Sequence, residues 1–167
     1  MSNKKLSDKV KERNEKLHGY YFEELSEGMS DVYAKTITDA DVITFAGISG
    51  DTNPVHLNHE FASATMFEGQ VAHGMLTASF ISTVIGTKLP GPGCIYVGQN
   101  LRFKAPVKVG DTVTAGCTVT RLIPEKHMIE MDTVCTVGDR VVLEGQAIVM
   151  VPTRAARDKG LIAVPAA

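Results

Sequence analysis

One nearly charge-free run in the middle of the chain constrains the fold more than any other feature. The segment GMLTASFISTVIG, residues 74–86, has no charged side chain, and its apolar residues fall on every side of a helix. A helix that is apolar all round has to be enclosed by other elements. The following PGPG, residues 90–93, ends it. We therefore predict a long central helix that begins at Gly74 and is covered on all sides.

The last third of the chain follows a two-residue period instead. Turn signals of the Gly-Asp type separate four β-rich runs, which are residues 94–107, 111–123, 127–138 and 140–151. In the third run one face carries Ile129, Met131, Thr133, Cys135 and Val137. With a further strand over residues 29–37, this pattern predicts an antiparallel sheet of about five strands. Because the sheet has to curl around the helix to bury it, the predicted class is α+β.

A shorter helix is predicted after the first strand. Thr38 suits an N-cap, acidic residues follow it in the first turn, and Gly47 and Gly50 suit the end. Its predicted apolar face comprises Val42, Ile43, Phe45 and Ala46.

Composition limits the classes of partner and compartment. The chain has 167 residues, a net charge of −2, 44% hydrophobic residues and no Trp. This balance gives no electrostatic reason to expect a nucleic-acid or membrane partner. Three cysteines without a CxxC pair fit reduced thiols, and neither a signal peptide nor a membrane span is indicated. We expect a cytoplasmic protein.

The chain divides into one domain with two peripheral segments. Residues 1–18 are charged throughout and predict a solvated helical arm, with a dimer contact or a lid as the alternative. Residues 19–152 form the domain, and residues 153–167 form a C-terminal tail.

The bend at SGDTNPVH, residues 49–56, brings a carboxylate and an imidazole together. Asn53 precedes Pro54 and is therefore excluded from helical geometry, while Pro54 fixes the turn. Such a rigid turn holds Asp51 near His56. A histidine beside a carboxylate suits general acid–base catalysis near neutral pH.

Gly74 supplies the second chemical element. The first backbone N–H groups of a helix have no partner within it, and the helix dipole is positive there. Because glycine has no Cβ, a thioester oxygen can approach closely and be stabilised as negative charge develops on it. An acid–base pair with such a site fits reversible addition of water next to an activated carbonyl.

The segment GISGDTNPVHLNHEFAS, residues 47–63, resembles the hydratase-2 motif of the MaoC-like (R)-specific enoyl-CoA hydratases. The resemblance extends from GYYFEELSEGM at residue 19 to the terminal strands at residue 152. It implies a hotdog fold, in which an antiparallel sheet wraps a long helix. It also implies syn hydration of trans-2-enoyl-CoA to (3R)-3-hydroxyacyl-CoA, with no metal or redox cofactor. The family forms homodimers or dimer-based oligomers with CoA near the subunit interface.

The same resemblance assigns roles to single residues. Asp51 and His56 match the catalytic pair that holds water and moves protons. Gly74 matches the glycine whose N–H polarises the thioester carbonyl. Asn53 matches a residue that holds the turn and orients the aspartate. Ser82 falls where related hydratases have a hydroxyl near the site, and Ile85 falls in the wall of the acyl pocket.

Less specific interpretations of these residues stay open. Asp51 could simply cap the turn, and His56 could be a core histidine. Alternatively, both could join His59 around a metal, although the H-x-x-H spacing of His56 and His59 is not that of a zincin helix. His73 suits a cap or packing role better than ligand contact.

Arg102 and Lys104 could face CoA phosphates or simply lie on a solvated strand face.

Other functions on the same fold also remain possible. An acyl-CoA thioesterase and a non-catalytic acyl-CoA-binding protein are the alternative functions. Neither the length nor the branching of the acyl chain follows from the sequence.

Overall fold

The computed structural model describes residues 8–10, 12–13 and 16–158. The described residues between 8 and 17 are helical and exposed, in line with a solvated helical arm. Residues 1–7 of the predicted arm and residues 159–167 of the predicted tail lie outside the described residues. The strands are β1 (Ser30–Thr36), β2 (Ile95–Phe103), β3 (Thr112–Ile123), β4 (Met128–Val137) and β5 (Arg140–Met150). The helices are α1 (Asp39–Ser49), α2 (Pro54–Leu57), α3 (His59–Ser63), α4 (Gly74–Thr87) and α5 (Arg154–Asp158). Short 3-10 helices cover Phe22–Glu24 and Pro124–Lys126.

The five strands form one sheet in the order β1-β3-β4-β5-β2. All four neighbouring pairs are antiparallel. The four β-rich runs from residue 94 on suggest a simple antiparallel meander, and this holds only for the last three strands. Strand β2 does not pair with β3 and pairs instead with β5, the last strand of the chain. The alternation along β4 is as predicted, because Ile129, Met131, Thr133 and Cys135 are buried.

Helix α4 lies against one face of this sheet and contacts β1, β2, β3 and β4. Its buried residues, Phe80, Ile81, Val84 and Ile85 among them, join the inward side chains of the strands in one core. Removing so much apolar surface from water is the main stabilising contribution to such a domain. The predicted α+β class with a central helix is confirmed.

The prediction that this helix is covered on all sides is wrong for the single chain. Met75 is 56% exposed, and Ser79, Ser82 and Gly86 on the same side are exposed as well. One sheet covers only part of a helix circumference, and the small polar residues of the run mark the uncovered side. Similarly, Ile43 of the predicted apolar face of α1 is exposed, while Val42 and Ala46 are buried.

The predicted cap of α1 is present. The Thr38 hydroxyl accepts a hydrogen bond from the Asp41 N–H at 3.3 Å, and Asp41 Oδ2 accepts from the Thr38 N–H at 2.9 Å. This reciprocal pair satisfies two N–H groups at the helix start. At the other end Gly50 adopts the left-handed conformation, with φ of 77°.

The cysteines behave as core residues. Cys117 and Cys135 are buried, Cys94 is half-buried, and all three are free thiols. Burial raises the pKa of Cys94 to about 11 and contributes most to raising the pKa values of Cys117 and Cys135 to about 12. These thiols therefore stay protonated near neutral pH and are poor nucleophiles. Within the described residues, no helix combines the length and the apolar character that crossing a membrane requires.

Candidate active site

The bend that follows α1 is held by its own polar side chains. Asn53 is the N-cap of α2, and its Oδ1 accepts a hydrogen bond from the Val55 N–H at 3.2 Å. Pro54 begins that helix, where its missing N–H costs nothing. The Asn53 N–H donates to Asp51 Oδ1 at 3.2 Å, which is the Asx-type turn that favours Asp before such a bend. One oxygen of Asp51 therefore supports the turn.

The other carboxylate oxygen faces an imidazole. Asp51 Oδ2 lies 4.0 Å from His56 Nε2. The Asp51 side chain is about half exposed at 52%, whereas the His56 side chain is only 12% exposed. A water molecule can hydrogen-bond both atoms at this separation, because each contact then needs only about 2.8 Å. The predicted pair is therefore brought together, with a structural role on Oδ1 and a free oxygen on Oδ2.

The hydrogen bond on the far side of the His56 ring sets its tautomer. His56 Nδ1 lies 2.8 Å from the Val71 carbonyl oxygen, which can only accept, so Nδ1 carries the proton. Nε2 is then the bare nitrogen toward Asp51. The Gln70 amide also donates to the His56 carbonyl at 3.0 Å, and the Val71 N–H donates to the Val55 carbonyl. The strand-like segment before α4 thus fixes both the position and the tautomer of His56.

Helix α4 begins beside this pair without a side-chain cap. Its N-cap residue is His73, which makes no side-chain hydrogen bond to the first turn. Gly74 is the first helical residue and lines the same cavity as His56. A Cβ added at Gly74 would lie 2.7 Å from Phe103 Cε1, so only glycine fits without a shift. The start of α4 is therefore part of the cavity wall, and its first N–H groups have no partner within the helix.

The cavity has a volume of about 430 Å³ and lies between the segment after α3 and the ends of two strands. Its walls are mainly apolar. The lining residues are Val55, His56, Met66, Phe67, Val71, Ala72, Gly74, Thr77, Phe103, Lys104, Ala105, Pro106, Val107 and Val142. An apolar cleft with a few converging polar groups is the usual form of a small-molecule site.

Two residues predicted for the site lie elsewhere in this chain. Ser82 is exposed two turns along α4, and Ile85 is 1% exposed in the core. Neither lines the cavity, and their roles stay predictions.

Of the two basic residues considered for CoA phosphates, Lys104 lines the cavity. Its ammonium donates to Glu144 at 3.1 Å, and Arg102 lies 3.9 Å from the same carboxylate.

Several walls of the cavity were missed by sequence reasoning. Phe103 comes from β2 and Val142 from β5, while Met66 and Phe67 follow α3. Phe103 and Val142 have no local motif, because they reach the cavity through strand pairing over long sequence distances. For Met66 and Phe67 the one available signal was two large apolar residues in a polar loop.

The interpretation of His73 as a packing residue rather than a ligand contact agrees with its position. His73 is 1% exposed and does not line the cavity. Asp51, His56 and His73 offer ligand atoms within 4.8 Å of one another, whereas His59, considered earlier for a metal, is not in this group of described residues.

Comparison with known proteins identifies the family of this chain. The family model for the MaoC-like domain matches residues 23–141 of the sequence. An (R)-specific enoyl-CoA hydratase of Rhodospirillum rubrum is 58% identical over 81% of this chain and 94% of its own length. A 3-hydroxybutyryl-CoA dehydratase of Methylorubrum extorquens is 47% identical over 83% of this chain and 88% of its own length.

A solved structure of an (R)-hydratase has the same fold as this chain. The unliganded (R)-hydratase PhaJ1 of Pseudomonas aeruginosa superposes with a TM-score of 0.77 at 40% identity, over 81% of this chain and 88% of its own. The predicted hotdog fold is therefore confirmed. Sequence and structure both assign this chain to the family of MaoC-like domains.

Proposed function

We propose that this chain catalyses the reversible syn addition of water to trans-2-enoyl-CoA, which gives (3R)-3-hydroxyacyl-CoA. The observation that carries the proposal is one arrangement of atoms. Asp51 Oδ2 lies 4.0 Å from His56 Nε2, and His56 lines one apolar cavity with Gly74. The names of the two curated relatives, an (R)-specific enoyl-CoA hydratase and a 3-hydroxybutyryl-CoA dehydratase, support the same reaction and a CoA thioester substrate.

We infer one task for each group, in keeping with these distances. A water molecule between the two side chains loses a proton to the bare Nε2 of His56 as its oxygen bonds to C3 of the acyl chain. The Asp51–His56 pair delivers a proton to C2, so that one water is added across the double bond. Because both groups belong to one short turn, oxygen and proton arrive on the same face. The Gly74 N–H donates to the thioester oxygen, where negative charge develops.

The remaining predicted residues complete this proposal. Asn53 holds the turn, since it caps α2 and bonds Asp51. For Ser82 near the site and Ile85 in the acyl pocket, the support is the family resemblance alone, since neither residue lines the cavity of the single chain.

A homodimer is the proposed assembly. Support comes from the edge strand β2, where Ile95, Val97 and Phe103 are 40%, 50% and 53% exposed in the single chain. An open strand edge with apolar side chains is a common site of pairing with a second copy. The proposed compartment is the cytoplasm, in keeping with three free cysteines.

Hydration is tested by following the enoyl-thioester absorbance of crotonyl-CoA. A loss of absorbance is expected, and only an (R)-specific dehydrogenase should oxidise the product. Asp51→Asn and His56→Ala should each lower turnover by about 10²- to 10⁴-fold, the usual contribution of an acid–base group. His59→Ala, an exposed histidine on the next helix, is the matched control and should keep wild-type turnover.

Two results would contradict the proposal. Turnover that survives both Asp51→Asn and His56→Ala would remove the pair from the mechanism. Release of free thiol from an acyl-CoA, with no loss of any enoyl-CoA, would favour the thioesterase alternative.

The proposed reaction needs no metal. His56 Nδ1 and His73 Nε2 already donate to the Val71 and Asp51 carbonyl oxygens, at 2.8 and 2.9 Å. Each imidazole therefore keeps one nitrogen, and the proposed mechanism uses that of His56 as a proton acceptor. Dialysis against a chelator should therefore leave the rate of crotonyl-CoA hydration unchanged. A loss of that rate that Zn²⁺ restores would overturn the proposal that the reaction needs no metal.

A further inference from the structure

The imidazole of His73 contacts three parts of the proposed site without lining its cavity. His73 Nε2 lies 2.9 Å from the Asp51 carbonyl oxygen, across 22 positions of sequence. Because a carbonyl oxygen only accepts, Nε2 carries the proton and donates it. The ring packs on His56 with centroids 3.8 Å apart and planes tilted by 30°, and Gly74 follows directly in the chain.

The burial of His73 makes this arrangement rigid. The side chain is 1% exposed, and the Phe45 ring packs near it at 5.0 Å between centroids. Its Nδ1 is a buried nitrogen with no hydrogen-bond partner among the described residues. Leaving a buried polar atom unpaired costs free energy, of order 1–3 kcal/mol in proteins generally. A leucine or phenylalanine would fill the same space without that cost, so a role in stability alone does not account for a histidine here.

We propose that His73 is a positioning residue for the hydration reaction, an inference that depends on the proposed function. Its Nε2–H ties the main chain of Asp51 to the start of α4, while its ring supports the face of His56. The acid, the base and the Gly74 N–H therefore keep one mutual geometry through a single side chain. This hydrogen bond matters for Asp51 because few contacts hold its half-exposed side chain, and because its turn follows directly after the end of α1 at Gly50.

Three variants separate the hydrogen bond from packing. His73→Phe keeps a stacked ring and loses the donor. His73→Gln loses the ring and returns an amide N–H close to the position of Nε2. Phe45→Leu is the control, since it alters packing on His73 and leaves the donor in place.

The expected result is a change in kcat rather than in KM. His73→Phe should lower kcat for crotonyl-CoA by about 10- to 100-fold, the scale expected when a reacting group shifts by about 1 Å. Its KM should stay within about threefold, because His73 does not touch the cavity. His73→Gln should recover much of the loss, and Phe45→Leu should keep kcat within about threefold.

A spectroscopic measurement accompanies the kinetics. Long-range ¹H–¹⁵N spectra of histidine-labelled protein should show His56 as the Nδ1–H tautomer in both proteins, because the Val71 carbonyl sets it. The ¹⁵N shift of His56 Nε2, the atom that faces Asp51, should differ between the wild type and His73→Phe. Wild-type kcat in His73→Phe would overturn the proposal. So would equal losses in His73→Phe and His73→Gln with raised KM and a lower melting temperature, which would indicate a merely structural role. If the wild-type enzyme itself fails to hydrate any enoyl-CoA, the proposed function fails instead.

Discussion

The first four helices of the domain begin in two different ways. Helices α1, α2 and α3 each start with a side chain that accepts a hydrogen bond from the first turn, namely Thr38, Asn53 and Asn58. Helix α4 starts at His73, which makes no such bond and donates instead to Asp51. The capped starts use their N–H groups for stability, whereas those of the uncapped start are available to the ligand of the proposed site. The comparison teaches that the presence or absence of a side-chain cap distinguishes helices that otherwise follow the same rules.

Among changes at the helix starts, the largest effect should follow from a methyl group at the uncapped start. In Gly74→Ala the new Cβ would lie 2.7 Å from the Phe103 ring and would crowd the path of a thioester oxygen. Loss of one such donor interaction lowers turnover by about 10²- to 10³-fold, measured as kcat for crotonyl-CoA hydration.

Gly86→Ala is the matched control on the same helix. Nothing lies within 4 Å of a Cβ at Gly86, so turnover should be unchanged, and the helix should gain up to about 1 kcal/mol. Full recovery in the double variant Gly74→Ala/Phe103→Ala would contradict a role in ligand approach and would assign the loss to the ring contact.

A smaller effect is expected where a cap also serves the site. Asn53→Ala removes the acceptor for Val55 N–H and loosens the turn that holds Asp51. We expect a loss of about 1 kcal/mol in the free energy of unfolding and about tenfold in kcat. Asn58→Ala removes the 2.9 Å cap of α3 and should cost similar stability with unchanged kcat. Equal kinetic losses in the two variants would mean that Asn53 has no special link to catalysis.

The cap of α1 should affect stability alone. Thr38→Ala removes the hydroxyl that accepts from Asp41 N–H, and about 1 kcal/mol should be lost in urea unfolding. The kinetic constants should be those of the wild type, since Thr38 does not line the cavity. A kcat change greater than about twofold would break the distinction between the two kinds of helix start.

The smallest effect should be a pH dependence at the same cap. Hydrogen bonds from Lys35 and then Thr38 lower the pKa of Asp41 to about 2, from 3.8. A lowered folded-state pKa stabilises the fold above the unfolded value, and that stabilisation disappears as the pH falls through the folded value. Asp41→Asn should therefore melt below the wild type at pH 5, and the gap should close between about pH 4 and pH 2. A constant gap over that range would contradict the assignment.

Local patterns predicted much of this molecule from the sequence. The period of the strands, the cap at Thr38 and the bend at Asn53–Pro54 each depend on neighbouring residues, and each agrees with the structure. The uncovered side of α4 was missed, because an apolar run does not reveal how far one sheet extends around it.

The walls of the site were less accessible to sequence reasoning. Phe103 reaches Gly74 through the pairing of β2 with β5, and His73 bonds Asp51 across 22 residues. Such contacts depend on the register of distant strands and helices, which no short motif encodes. The approach of Asp51 to His56 was therefore predictable at the bend itself, while the residues that support the pair were not.

The position of β2 has a consequence for how the protein is made. Its partner is β5, and Phe103 pairs with Leu143 while Ile95 pairs with Met150. On the ribosome the chain emerges from its N-terminus, so β2 is exposed until almost the whole domain has been synthesised. During that interval its apolar edge is open to other nascent chains and to chaperones. A chain that stops before residue 140 would thus contain the bend with Asp51 and His56 and lack the strand with which β2 pairs.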